Sequence, residues 1–137
     1  MRKILLLVCT LVCTVGLPLP AMADAAASLP AGIIAIAPDR MNWKDAQAYC
    51  ASKGGRLPFI GGKNALPFSQ KIPSGTSVDG FGAMGAKWPS DMPVDLYWTG
   101  TEHSGYPRHS WLVVNSGGYV SDNFVTQGNT RRVVCVP

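Results

Sequence analysis

Asn42-Trp43-Lys44-Asp45-Ala46-Gln47-Ala48-Tyr49-Cys50, followed a few residues later by Gly54-Gly55, is the stretch on which the reading of the fold turns. Asn42 is a helix-capping residue. Asp45 stands three positions on, where a carboxylate favours the positive end of the helix dipole. Trp43, Ala46, Tyr49 and Cys50 recur at spacings of three, four and seven and so draw one apolar stripe. Gly54-Gly55 then stops the helix. Cys50 belongs to the buried face of this short helix, where a bridge to the core is feasible.

The other cysteines are Cys9, Cys13 and Cys135. Cys9 and Cys13 fall within the apolar run Ile4 to Leu17, which follows Arg2-Lys3 and precedes Ala21-Met22-Ala23. Charge, apolar core and small-x-small site in that order are the secretory signature. The run of about 14 residues is short of the roughly 20 needed to span a bilayer. Residues 1–23 are therefore expected to be a cleaved signal peptide, with no stable membrane insertion afterwards. An uncleaved anchor is one alternative. A lipidated cysteine is another, weakened by Val8 and Val12 standing where a small residue is wanted. Cleavage leaves one pair, Cys50 and Cys135, and an even count in an exported chain favours a disulfide. It would close a loop of 85 residues, worth roughly 4–5 kcal/mol in the chain-entropy account. Two buried free thiols are the alternative. A metal pair is less suited, because neither cysteine has a second ligand nearby in sequence.

Outward from the helix, Ala-rich residues 24–31 read as a flexible tail and residues 32–137 as one domain. Gly32 to Ala37 is short, apolar and β-branched, a buried first strand that Pro38 ends. Arg56 to Asp95 carries six glycines and five prolines, so no long period survives there. A short helix over Asn64 to Lys71 is predicted, and the rest as a long irregular loop. Such loops in compact domains usually serve a function. Leu96–Thr101, Ser110–Asn115, Gly118–Val125 and Arg131–Val136 are four strands. Asn115-Ser116-Gly117-Gly118 marks a tight hairpin and Gln127-Gly128-Asn129 the next turn. The fold class expected is α+β, with one or two helices packed on a twisted antiparallel sheet beside the loop region.

Charge narrows the partners. Twelve basic residues face eight acidic ones, and loss of Arg2 and Lys3 reduces the net charge from +4 to +2. Beyond residue 23 the only adjacent basic pair is Arg131-Arg132. No clustered basic face of the kind nucleic-acid binders show is present, so no nucleic-acid partner is expected. No cofactor is expected either.

The order of strand, cysteine-bearing helix, loop-rich middle and strands ending in cysteine resembles a C-type-lectin-like domain. More narrowly, it resembles the bacterial branch typified by the C-terminal domain of collagen-like adhesins, itself related in fold to the formylglycine-generating enzyme family. The matching pieces are Asn42 to Cys50, Gly55-Arg56-Leu57-Pro58, Tyr97-Trp98-Thr99-Gly100-Thr101, Trp111-Leu112-Val113-Val114 and Arg132-Val133-Val134-Cys135-Val136. The resemblance implies a scaffold whose long loops display a binding surface. Sugar-binding members of the animal branch hold calcium with a Pro-flanked carboxylate pair and a Trp-Asn-Asp sequence. Neither occurs here, and Ser121-Asp122-Asn123-Phe124, the nearest approach, lacks the Trp. The expected function is an exported, non-enzymatic ligand-binding or adhesion domain, secreted, periplasmic or at the cell surface. It would take a surface protein or a glycan, without calcium. The alternatives are a structural subunit of an envelope or pilus assembly, and an oxidase like the formylglycine-generating enzyme.

Six residues are candidates for ligand contact. Trp88 lies in the Gly/Pro-rich loop, where an exposed indole can anchor recognition. Tyr106, Arg108, Tyr119, Asn123 and Phe124 form an aromatic and polar set near strand ends. Trp43, Trp98 and Trp111 sit within regular elements and read as core. Glu102, His103 and His109 offer at most three zinc ligands, and solvated loop residues are the plainer reading. Ser104 and Ser110 lie near the histidines, but there is no HExxH and no nucleophile elbow. Arg56 is expected to make an ion pair or structural hydrogen bond after the helix. Exported protein is expected to begin at Asp24, and N-terminal sequencing of material recovered outside the cytoplasm checks it.

Overall fold

A computed structural model describes residues 29–62 and 67–137. The expected signal peptide, most of the expected N-terminal tail and the first part of the helix expected over Asn64–Lys71 lie outside those residues. Pro67 to Lys71, which are described, are not helical. Among the described residues no helix is long and apolar enough to cross a membrane.

One helix, α1 (Trp43–Ser52), forms where its caps dictate. The Asn42 side chain accepts the Asp45 N–H at 2.8 Å, and the Gly55 N–H closes the far end on the Cys50 carbonyl at 3.0 Å. A side chain at Gly55 would collide with the Val136 carbonyl and Ile34, so glycine is required where the chain leaves the helix. Ala46 and Cys50 are buried, and Trp43 and Tyr49 pack at the edge of the same cluster. The Trp43 indole N–H donates to the Thr99 carbonyl at 2.9 Å and fixes the helix to the sheet.

That sheet is an antiparallel meander of β4 (Leu96–Glu102), β5 (His109–Ser116) and β6 (Tyr119–Thr126). Ser116 pairs with Tyr119 across a two-residue turn. Both turn residues, Gly117 and Gly118, have positive φ, the geometry of the twist-matched hairpin turn. The period of two splits the strands between two cores. Tyr97, Trp111, Val113 and Val120 face one cluster. Trp98 and Leu112 face the other, with Ala46, Cys50 and Cys135.

Short strands complete the frame. β1 (Ala35–Ile36) pairs antiparallel with β7 (Val134–Cys135), extended by Ile34 N–H to Cys135 carbonyl at 2.8 Å and Ala37 N–H to Val133 carbonyl at 3.0 Å. The buried strand expected over Gly32–Ala37 is reduced to β1 and only half covered: Ile33 and Ala37, which flank it, are buried while Ile34 is exposed. The strand expected over Arg131–Val136 is broken into β7 and bridges to Met41, Arg56 and Tyr97, because it pairs with several segments in turn. Cys50 and Cys135 are disulfide-bonded, with Cα atoms 5.2 Å apart. The architecture is α+β in character and mainly β, with open sheets.

The loop region has a different role from the one its composition suggests. β2 (Ser77–Val78) and β3 (Gly82–Ala83) form a small hairpin within it. Ile60, Ile72, Val78, Phe81, Met84, Trp88 and Met92 all bury against the sheet. The Arg56 guanidinium pairs with Asp79 at 2.8 Å, as anticipated for Arg56, and the Phe59 N–H donates to the same carboxylate at 3.0 Å. Asp95 joins Arg40 at 2.6 Å and Arg132 at 3.0 Å. Burial pushes its pKa up, but the Leu96 N–H and the two guanidiniums outweigh that and hold it below its ordinary value.

Trp88 is not the exposed anchor the sequence suggested. It is 7% exposed, lies 5.4 Å from the Phe81 ring, and donates its indole N–H to the Met92 carbonyl at 2.8 Å. A loop that must cover one face of a sheet needs a large apolar side chain to fill the gap, and Trp88 supplies it. Trp88→Ala is therefore expected to cost about 3–5 kcal/mol, as a buried aromatic does, comparable with Trp98→Ala in chemical denaturation. Cys50→Ser is expected to lower stability by about 2–5 kcal/mol, read from the same denaturation curves under non-reducing conditions.

Candidate functional site

The turn between β4 and β5, Ser104 to Arg108, folds back over the open end of the meander. His103 at its base is 5% exposed. Its ring stacks on Trp111 at 4.9 Å and 17°, with Phe124 at 4.3 Å and Tyr106 at 4.8 Å. Nδ1 accepts two main-chain N–H groups, from Gly105 at 3.0 Å and Tyr106 at 3.2 Å. An unsatisfied buried polar atom costs about 1–3 kcal/mol. These two bonds remove that cost for Nδ1 and set the turn. Accepting at Nδ1 also requires the neutral ring. Burial, with a smaller contribution from nearby His109, lowers the His103 pKa.

Above this base lies the exposed layer. Tyr106 is 53% exposed and stacks on Phe124 at 5.4 Å and 16°, with the His109 ring 5.5 Å away. Arg108 follows in the turn with φ of 57°, the one non-glycine residue with positive φ among those described. Its carbonyl accepts the Gln127 N–H at 2.8 Å, which holds the turn to the end of β6. A depression of about 520 Å³ opens there between Pro107, Arg108 and the Thr126–Gly128 turn.

The six sequence candidates are thus divided. Tyr106 and Phe124 are brought into contact, with Arg108 beside them in the turn. Asn123 is exposed and lies on the other face of β6 from Phe124, its Oδ1 accepting the Phe124 N–H at 2.8 Å. Tyr119 is 56% exposed but sits at the far end of β6, roughly 17 Å away at about 3.3 Å per residue. Trp88 is in the core. Zinc binding by Glu102, His103 and His109 is not supported. His103 Nδ1 is already bonded, Glu102 faces Gln127, and no group of three His, Cys, Asp or Glu among the described residues is placed to hold a metal. The reading of His103 as a solvated loop residue also fails, since the ring is the buried support of the turn.

The structure adds residues that sequence reasoning missed. Lys71, Ser121 and Asp122 line two adjoining depressions beside β6. The Ile72 N–H donates to Asp122 Oδ2 at 3.1 Å and brings the loop against the strand. Lys71 lies in the Gly/Pro-rich region, where no periodicity marks it. Asp122 carried a signal only as part of an incomplete calcium motif.

Comparison with family models, curated proteins and solved structures returned no match for the chain.

Because the folded protein binds the His103 proton less readily than the unfolded chain, stability is expected to rise with pH. It is expected to fall as pH drops below the ordinary histidine value of 6.5. Thermal melts between pH 5 and 7.5 check this, and His103→Gln, which cannot titrate, is expected to flatten that part of the profile.

Proposed function

We propose that the chain is an exported, non-enzymatic binding or adhesion domain of the C-type-lectin-like class, presenting an aromatic surface to a protein or glycan without calcium. The observation that carries this reading is the two-layer arrangement at the end of the meander. Tyr106 is half exposed and stacked on Phe124, while His103 supports both rings from beneath and Trp111 packs against Phe124 and His103. A rigid exposed aromatic on a pinned turn loses little conformational entropy on contact and buries a large area. Arg108 and Gln127 beside it supply polar groups of the kind that orient a ligand. The disulfide supports the same reading, because it occupies both cysteines beyond residue 23 in a structural bond, whereas an oxidase of the formylglycine-generating type needs a reactive pair.

Glycan arrays and pull-downs from envelope or host-surface extracts test the reading. Tyr106→Ala is expected to weaken binding at least about tenfold, as loss of an aromatic anchor does, with the melting temperature within a few degrees of wild type. A chelator is expected to leave both binding and melting unchanged. Failure of the folded protein to bind any such material would reject the proposal.

A further inference from the structure

β6 is the outer strand of its sheet, and part of its outer edge is open. The hairpin register turns the main-chain groups of Ser121, Asn123 and Val125 toward β5 and those of the even-numbered residues outward. At one end the outward groups are used. The Val120 N–H donates to Ala86 at 2.7 Å, its carbonyl accepts from Gly85 at 2.8 Å, and the Gly118 carbonyl accepts from Trp88 at 2.8 Å. At the other end the Thr126 carbonyl accepts the Asn129 N–H at 3.1 Å. The Phe124 N–H is met locally by the Asn123 side chain. Between these points the Asp122 N–H and the Asp122 and Phe124 carbonyls have no partner among the described residues. An open edge of this kind is a template for another strand.

The surface beside it suits an extended chain. Two depressions share Lys71, Ser121 and Asp122. One, of about 230 Å³, also has Ser74, Ser116, Ile72, Met84, Tyr119 and Val120 in its wall. The other, of about 290 Å³, has Trp111 and Phe124. The β6 residues that wall them, Tyr119 to Asp122 in one and Ser121 to Phe124 in the other, are offset by two, the repeat at which an extended chain returns side chains to one face. Lys71 is exposed and makes no salt bridge with a described residue. It borders both depressions; the rings of Trp111 and Phe124 in one of them suit an apolar group, which leaves the other for a carboxylate beside Lys71.

We propose that the open edge of β6 at Asp122–Phe124 takes up an extended peptide segment of a partner protein as a fourth strand. Its acidic and apolar side chains, two residues apart, enter the two depressions. The proposal rests on the reading of the chain as a binding domain and names the partner class. Main-chain hydrogen bonds supply affinity in such strand addition and the alternate side chains supply selectivity. A second copy of this chain is the poorer occupant, because pairing β6 with β6 brings Lys71 toward Lys71.

Selection from a displayed library of random ten-residue peptides against the full-chain protein, followed by amide exchange, tests this. The expected peptides carry an acidic and an apolar residue two positions apart. When bound they slow exchange of the Asp122 N–H at least about tenfold and leave that of Asn123, already paired with Leu112, unchanged. Lys71→Glu is expected to weaken them about three- to tenfold and to abolish their salt dependence. Asp122→Pro, tolerated on an edge whose N–H faces outward, is expected to weaken them at least about tenfold. The exchange measurement stands on the unaltered protein if that variant does not fold. Peptides that bind without protecting Asp122, or that bind both variants as tightly as wild type, overturn the proposal. So does concentration-dependent protection of Asp122 in the free protein, which would assign the edge to a second copy. Glycan binding with no peptide selected overturns this proposal and leaves the binding reading intact, whereas no binding of either kind rejects both.

Discussion

The structure depends on the terminal segment Arg131–Val136 and the bond that anchors it. In six residues it meets four separate parts of the chain: Met41, β1, the start of β4 and the residue after the helix, Arg56. Each meeting is only one or two residue pairs long, too short to be stable alone. The Cys50–Cys135 bond joins this segment to the helix within one fully buried cluster. It removes roughly 4–5 kcal/mol of loop-closure entropy from the unfolded chain, against a total stability of about 5–15 kcal/mol for a typical domain. The short pairings can persist because the segment that makes them is held at both ends of its span.

This explains which parts of the fold were legible in the sequence. The helix was, because Asn42, the apolar stripe and Gly54-Gly55 act over a few residues and need no distant partner. The meander was, because alternation and the Gly117-Gly118 turn are also local. The disulfide followed from counting. The loop was not. Its buried side chains, Ile60, Ile72, Val78, Phe81, Met84, Trp88 and Met92, are spaced by no helical or strand period. They are placed by turns and by contact with a sheet that lies later in the sequence, so composition alone made the segment look like display surface. Trp88 was misplaced for the same reason: beside Pro89 and among glycines it looks like a loop residue, yet it fills the centre of a core.

The candidate site shows the same division. Tyr106 and Phe124 could be named as aromatic residues near strand ends, but their stacking depends on His103. That residue read as a solvated loop histidine or a zinc ligand, because sequence cannot show that its Nδ1 faces two main-chain N–H groups. Asn123 and Phe124 are neighbours in sequence and lie on opposite faces, as strand geometry requires. Tyr119 shares their strand but stands at its other end. A list of exposed polar and aromatic residues near strand ends therefore does not amount to one surface, and register decides which members belong together.

The outer strand unites these features. β6 contributes Val120 to the loop-covered core, packs Val125 beside the helix cluster, and carries Phe124 in the aromatic stack. Both of its ends are tied, one to Gly85–Trp88 and the other through the Gln127–Asn129 turn. A free edge strand is ordinarily a liability, blunted by charge, bulges or cover. Among the described residues main-chain pairing along this edge stops at Val120, and the stretch beyond it carries Asp122, with Lys71 beside it, next to two depressions. Charge at an edge discourages indiscriminate pairing while still permitting pairing with a chain of matching charge. Because both ends of the strand are fixed, the open stretch keeps its extended shape without a partner, so an incoming strand would not have to pay the ordering cost of this side.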